Sequence, residues 1–169
     1  KLPNRLKFMG YIQKMVLMVI TVPFALAPGG LISYLVGFEN ATFEYSMLIP
    51  VAMTALGVCA FIFHLKTKAF YKLYKKDLPM PKVEPLFWFL TISFGISFIV
   101  VSSYIFYRMT TMQLTRNVDD MMWQIVAVFS PMIVFGIWTV VEAFYLHKLV
   151  IENKNKTRHY EIDDIKGNV

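Results

Sequence analysis

The chain has 169 residues, of which 57% are hydrophobic and 17% are charged, and its formal net charge is +6. The single cysteine, Cys59, excludes a disulfide within the chain, a CxxC redox pair and a thiolate metal cluster. The sequence has no HExxH, GxSxG or P-loop motif, so no common catalytic constellation is present.

Four apolar runs dominate the sequence, and each is free of Asp, Glu, Lys, Arg and His. The runs cover residues 15–38, 45–63, 85–107 and 121–141. A bilayer requires about 20 helical residues, and helices that are apolar around their whole circumference need lipid or protein as their surroundings. The sequence therefore predicts an all-α integral membrane protein. Its four transmembrane helices, at 15–38, 45–65, 85–107 and 121–148, form an antiparallel bundle within a domain of residues 1–150.

The basic residues predict the orientation of these helices. Four precede the first span, six lie in the second loop and five lie from Lys148 onward, whereas the first loop has none and the third has only Arg108 and Arg116. Because basic residues concentrate in cytoplasmic segments, we expect both termini and the second loop in the cytoplasm. This topology, together with anionic lipid headgroups, explains the net charge better than a nucleic-acid partner does.

The segments outside the spans are short. Lys66 to Leu78 has an amphipathic helical pattern, and Pro79, Pro81 and Pro85 then predict an extended return. The tail at 151–169 alternates in charge and cannot bury apolar surface alone, so we expect it to be disordered or ordered by a partner. The chain begins with Lys1 rather than Met, so we expect residues to precede it.

The first span contains an unusual group of helix-breaking residues, which are Pro23, Pro28, Gly29 and Gly30. Each proline leaves a carbonyl four residues earlier without its helical donor, so we expect a kink or an interruption there. The fourth span has one counterpart, Pro131. Two interpretations stay open, namely a kink for close helix packing and a transport site of the kind that broken helices form.

Three ionisable residues near the predicted cytoplasmic boundary are candidates for a functional role: Glu142, His64 and His147. Glu142 has three alternatives: reaching the interface, pairing with a lysine of the second loop or a partner subunit, or exchanging protons. The two histidines could ligate a haem or part of a metal site, although interfacial histidines are more often not ligands.

Weaker signals concern modification, lipid and location. Asn40 begins an Asn-Ala-Thr acceptor pattern for N-glycosylation in the first outer loop. We expect bound lipid and no dedicated cofactor. The high frequency of Lys, Asn, Ile, Phe and Tyr relative to Ala favours an AT-rich microbial genome and hence a microbial plasma membrane.

Three functions remain open. The first is a non-catalytic accessory or structural subunit of a larger membrane complex, such as a respiratory or membrane oxidoreductase assembly, with other membrane subunits as partners. The second is a small transporter or channel that uses the Pro/Gly-broken first helix and Glu142. The third is a membrane enzyme or electron carrier with a cofactor near His64 and His147.

Overall fold

The computed structural model describes the backbone of residues 4–37, 42, 44–76, 78–116 and 122–167. Side chains are described between residues 10 and 156, with gaps at 38–41, 43, 46, 77 and 112–121. All regular structure in this part of the chain is helical. It consists of α1 (Asn4–Gly37), a 3₁₀ turn (Tyr45–Met47), α2 (Leu48–Thr67), α3 (Phe70–Lys75), α4 (Pro85–Arg116) and α5 (Met122–Gly167).

Among the described residues, four helical segments are long and apolar enough to cross a membrane, which agrees with the predicted number of spans. They are Gly10–Gly37, Leu48–Lys75, Pro85–Thr111 and Met122–Lys156. Three helices extend well beyond the spans that the sequence predicted. α1 begins at Asn4 rather than at residue 15. α4 continues to Arg116, and α5 continues through the predicted tail to Gly167. In α5, oppositely charged residues one helical turn apart, such as Glu152 and Lys156, favour the continuation of the helix.

The prolines lie inside helices that continue past them. α1 is helical on both sides of Pro23 and Pro28, and α5 is helical on both sides of Pro131. Of the kink and the interruption that the sequence left open, the interruption is therefore absent from α1. Each proline still removes one backbone donor, so the carbonyl groups of Val19 and Phe24 lack their helical hydrogen bonds.

The first of two apolar cores joins the four long helices. It consists of Leu17, Met53, Ala60, Phe94, Phe98 and Phe135, with Phe24 packed against it. The Phe24 ring of α1 stacks on Phe135 of α5 with centroids 4.5 Å apart and meets Phe98 of α4 edge-on at 5.4 Å. Aromatic pairs in these geometries add attraction beyond their buried area. This core links the first helix directly to the last.

Glycines allow the backbones of neighbouring helices to approach closely. A Cβ atom added to Gly136 would lie 2.8 Å from the carbonyl oxygen of Gly95, and one added to Gly95 would lie 2.9 Å from that of Gly136. A Cβ on Gly57 would lie 2.6 Å from the Cβ of Ala25. Small residues at such contacts are typical of helices that pack inside membranes.

A second apolar core lies beside α3 and the proline-rich segment that follows it. Its buried members are Phe63, Phe70, Leu146 and Leu149. Residues 78–84 have no regular secondary structure, as the three prolines predicted. Asn153 of α5 fixes this segment by donating a hydrogen bond of 3.1 Å from Nδ2 to the carbonyl oxygen of Leu78.

Candidate functional site: a buried charged cluster

A lysine lies on the buried face of α1. Gly10, Lys14, Leu17, Thr21 and Ala25 are all buried, and their spacing of three or four residues places them on one face of the helix. Lys14 is 0% exposed to solvent. A buried ammonium group is stable only when it is paired and hydrogen-bonded, so its surroundings define the site.

The ammonium group of Lys14 contacts two other helices. Its Nζ atom lies 3.0 Å from Oε1 and 3.1 Å from Oε2 of Glu142, and 2.8 Å from Nδ1 of His64. Glu142 is on α5 and is 5% exposed, while His64 is on α2 and is 0% exposed. Each of the three donors of the ammonium group therefore has an acceptor nearby. The cluster joins α1, α2 and α5 through a charge-compensated contact.

The hydrogen bond from Lys14 indicates which nitrogen of His64 carries the proton. Because Nδ1 accepts from the lysine, the neutral imidazole carries its hydrogen on Nε2. Nε2 is buried and has no hydrogen-bond partner in the part of the chain that the structure describes. A buried donor without a partner costs about 1–3 kcal/mol. This nitrogen is therefore the position in the cluster where a further hydrogen-bond acceptor could bind.

Tyr71 of α3 lies at the edge of the cluster. Its hydroxyl group lies 3.5 Å from Oε1 of Glu142, a long hydrogen bond in which the tyrosine donates. The ring packs against the backbone of α1, since a Cβ atom on Gly10 would lie 2.8 Å from it. It also stacks on Tyr145, with centroids 6.2 Å apart. The cluster therefore has contributions from four helices.

The structure brings together two of the three ionisable residues that the sequence singled out. Glu142 and His64 are both in the cluster, but the lysine that pairs with Glu142 is Lys14 of α1 rather than a lysine of the second loop. His147 is exposed, and its ring meets Trp88 edge-on at 5.3 Å. No group of three or more His, Cys, Asp or Glu side chains that could hold a metal occurs among the described residues.

The helix-breaking residues lie elsewhere. Gly29 contacts α2, where a Cβ atom would lie 2.9 Å from Oγ1 of Thr54, and a Cβ on Gly30 would meet nothing within 4 Å. Pro23 and Pro131 are both exposed. The predicted glycosylation acceptor Asn40 lies outside the described residues.

Comparison with known proteins gives no relative for this chain. No protein-family model, no curated protein and no solved structure matches it. The class of protein is therefore defined by the fold alone: a helical chain with four helices long and apolar enough to cross a membrane, which indicates a membrane protein.

Proposed function

We propose that the four long helices cross the membrane in alternating directions, with both termini and the segment between α2 and α4 in the cytoplasm. The order of contacts supports this arrangement, because residue numbers rise along α1 as they fall along α2 and α3. The contacts are Gly10 with Tyr71, Lys14 with His64, Ala25 with Gly57 and Gly29 with Thr54. The distribution of lysines and arginines supports the cytoplasmic side. A microbial plasma membrane stays a prediction.

Within that membrane, we propose that the chain is a non-catalytic subunit of a larger membrane protein complex. The observation that carries this proposal is an exposed face of α1, formed by Pro23, Ala27, Gly30, Tyr34 and Gly37. Their spacing of three or four residues places them on one side of the helix. Four of the five are small or cyclic, whereas the surface of a helix that faces only lipid needs no small residues. Such residues are typical of faces where a second helix packs closely.

The backbone of the same face supports a protein neighbour. Pro23 removes the donor for the carbonyl group of Val19, and the Val19 side chain is 63% exposed. A carbonyl group without a donor in hydrocarbon costs several kcal/mol, and lipid tails offer no hydrogen. A polar side chain of a neighbouring helix would supply one.

The charged cluster fits a supporting role in this proposal. Lys14 and Glu142 neutralise each other, and together with His64 they tie α1, α2 and α5 at one end of the bundle. Fixing α1 against the other helices would hold its exposed face in one orientation. The chain would then act through contact rather than through chemistry of its own.

Substituting leucine for Gly30 tests the proposed contact face. A Cβ atom at this position meets nothing within 4 Å, so we expect Gly30→Leu to fold normally and to keep the stability of the unsubstituted chain. A leucine side chain would prevent close approach of another helix. After gentle detergent extraction, we expect the wild-type chain to migrate with larger subunits and the variant to lose them.

The control is Val100→Leu, which enlarges an apolar side chain that is 60% exposed on α4. We expect this variant to stay in the assembly. A wild-type chain that is a stable monomer or homo-oligomer on extraction would refute the subunit proposal. A Gly30→Leu variant that keeps all its partners would refute the α1 face.

One observation favours a second function, a small proton-linked transporter. Tyr71, Glu142, Lys14 and His64 form a continuous series of hydrogen bonds, and the series ends at the open Nε2 of His64. Groups linked in this way can pass protons, and ionisable residues within spans often mark such paths. The helix-breaking residues that the sequence associated with transport are not part of this series.

Flux measurements in liposomes distinguish this second function. In His64→Gln, the amide oxygen still accepts a hydrogen bond from Lys14, but the side chain cannot relay a proton. If the chain conducts protons, we expect His64→Gln to abolish the flux and the exposed control Glu84→Gln to keep it. A proton flux that is no faster in liposomes with the wild-type chain than in empty liposomes would refute the transporter. A cofactor near His64 and His147 stays a prediction, which an absorption spectrum of the purified protein tests.

A further inference from the structure

A groove lies between the proline-rich segment and α5, at the end of the bundle where the lysines concentrate. Its volume is about 730 Å³, and one wall is the segment from Pro79 to Pro85. Val150, Asn153 and Lys154 of α5 form the other wall. A smaller cavity of about 230 Å³ shares Pro81, Val83, Pro85 and Val150 with the groove and extends to Phe70, Trp88 and His147. The two cavities therefore adjoin, as the outer and inner parts of the space beside these residues.

The two ends of this space differ in chemistry. The outer groove carries the ammonium groups of Lys82 and Lys154, both exposed, and the carboxylate of Glu84. No described residue forms an ion pair with either lysine. The inner cavity is lined by Phe70, Val83, Trp88 and Val150, and the imidazole of His147 is the one ionisable group among the described residues that line it. The lysines and Glu84 therefore lie at the outer groove, while most of the lining of both cavities is apolar.

The position of the space matches the boundary of the membrane under the proposed topology. α4 begins at Pro85, so Trp88 lies within the first turn of the third span, and Lys154 lies near the end of the fourth span. The outer groove is then at the level of the lipid headgroups, and the inner cavity faces the start of the hydrocarbon. Tryptophan is typical of this depth.

The groove is held open by the structure around it. Pro79, Pro81 and Pro85 restrict the backbone of its wall, and Asn153 holds the first part of that wall through Leu78. Tyr74 of α3 donates a hydrogen bond of 3.0 Å to Oε2 of Glu152 on the adjoining turn of α5. A wall fixed in this way loses little conformational entropy when a ligand binds.

From these observations we propose that the groove is a binding site for one anionic phospholipid of the cytoplasmic leaflet. Lys82 and Lys154 bind the phosphate group, and the inner cavity takes the glycerol and the first carbons of an acyl chain. Two ammonium groups and the single carboxylate of Glu84 leave one positive charge, which one phosphodiester balances. Basic pockets at the cytoplasmic ends of membrane helices bind anionic headgroups in this way. The site rests on the membrane placement proposed above but does not depend on any partner subunit.

Native mass spectrometry of the full-length chain in detergent tests the site by titration with phosphatidylglycerol, phosphatidylcholine and inorganic phosphate. We expect one phosphatidylglycerol to bind more tightly than phosphatidylcholine. Removing both ammonium groups in Lys82→Ala/Lys154→Ala is expected to weaken that binding about 30-fold, because each basic residue near the headgroups raises the affinity roughly fivefold. The matched control is Lys68→Ala/Lys75→Ala, which removes two exposed lysines that lie between α2 and α4 and do not line the groove.

Three outcomes would overturn the proposal. Equal loss of affinity in both double variants would show that only the general positive charge attracts lipid. Equal binding of phosphatidylcholine would show that the two lysines do not select an anionic lipid. Inorganic phosphate that competes fully with the lipid at equal concentration would identify a site for a free anion. Substituting Val150 with phenylalanine, which fills the inner cavity, is expected to weaken phosphatidylglycerol binding without changing the charge.

Discussion

Replacing either charged member of the buried pair is expected to destabilise the chain strongly. Lys14→Met leaves the carboxylate of Glu142 buried without a counter-charge, and Glu142→Leu leaves the ammonium group of Lys14 in the same position. Breaking a buried ion pair by removing one partner typically costs about 3–5 kcal/mol. We expect each single variant to lower the free energy of unfolding by that amount, measured by denaturation in detergent.

The double variant Lys14→Met/Glu142→Leu separates the charge effect from the packing effect. Because it leaves no unpaired charge, we expect it to be more stable than either single variant, which requires a coupling energy of more than about 3 kcal/mol. The recovery stays incomplete, since Nδ1 of His64 loses its donor. Additive losses in the double variant would mean that the two charges do not interact, and this would refute the described geometry.

Enlarging Gly136 is expected to have the second-largest effect on stability. In Gly136→Val, the new Cβ atom would lie 2.8 Å from the carbonyl oxygen of Gly95, which belongs to the backbone and cannot rotate away. α4 and α5 must then move apart, and overpacking of this kind costs about 1–3 kcal/mol or more. We expect a lower unfolding temperature and weaker association of these two helices.

The control for this effect is the same substitution at Gly30. Nothing lies within 4 Å of a Cβ atom there, so we expect Gly30→Val to change the stability of the isolated chain by less than about 0.5 kcal/mol. Similar losses in both variants would mean that the substitution acts through helix propensity. That outcome would refute the close contact between Gly95 and Gly136.

The number and extent of the spans could largely be predicted from the sequence, because a run of apolar residues without charges has few alternatives to a membrane helix. The far ends of the helices could not. Arg116 at the end of α4 is charged and most residues after Val150 in α5 are polar, so hydrophobicity does not predict how far these helices continue. In α5, charge pairs such as Glu152 and Lys156 favour helix. Whether α1 continues through Pro23 and Pro28 could likewise not be predicted, because a proline can bend a helix without ending it.

The charged cluster was predictable only in part. Glu142 stood out because it follows a long uncharged run, and pairing with a lysine of the second loop or a partner subunit was one of three alternatives for it. The identity of that partner depends on which helices pack together, and residues 14 and 142 are far apart in the sequence. One local signal pointed to Lys14. It shares a helical face with Gly10, Leu17, Thr21 and Ala25, a face that carries small or uncharged side chains otherwise.

The most direct test of the proposed function compares the native size of three forms of the chain after gentle extraction from the cells that make it. We expect the wild-type chain and Lys14→Met/Glu142→Leu, measured below its unfolding temperature, to remain in a larger assembly, because the apolar packing of Leu17 and Phe24 still holds α1 in the folded double variant. We expect Gly30→Leu to be folded but released from that assembly. Release of the folded double variant together with retention of Gly30→Leu would contradict the proposal and assign the function to the buried charges.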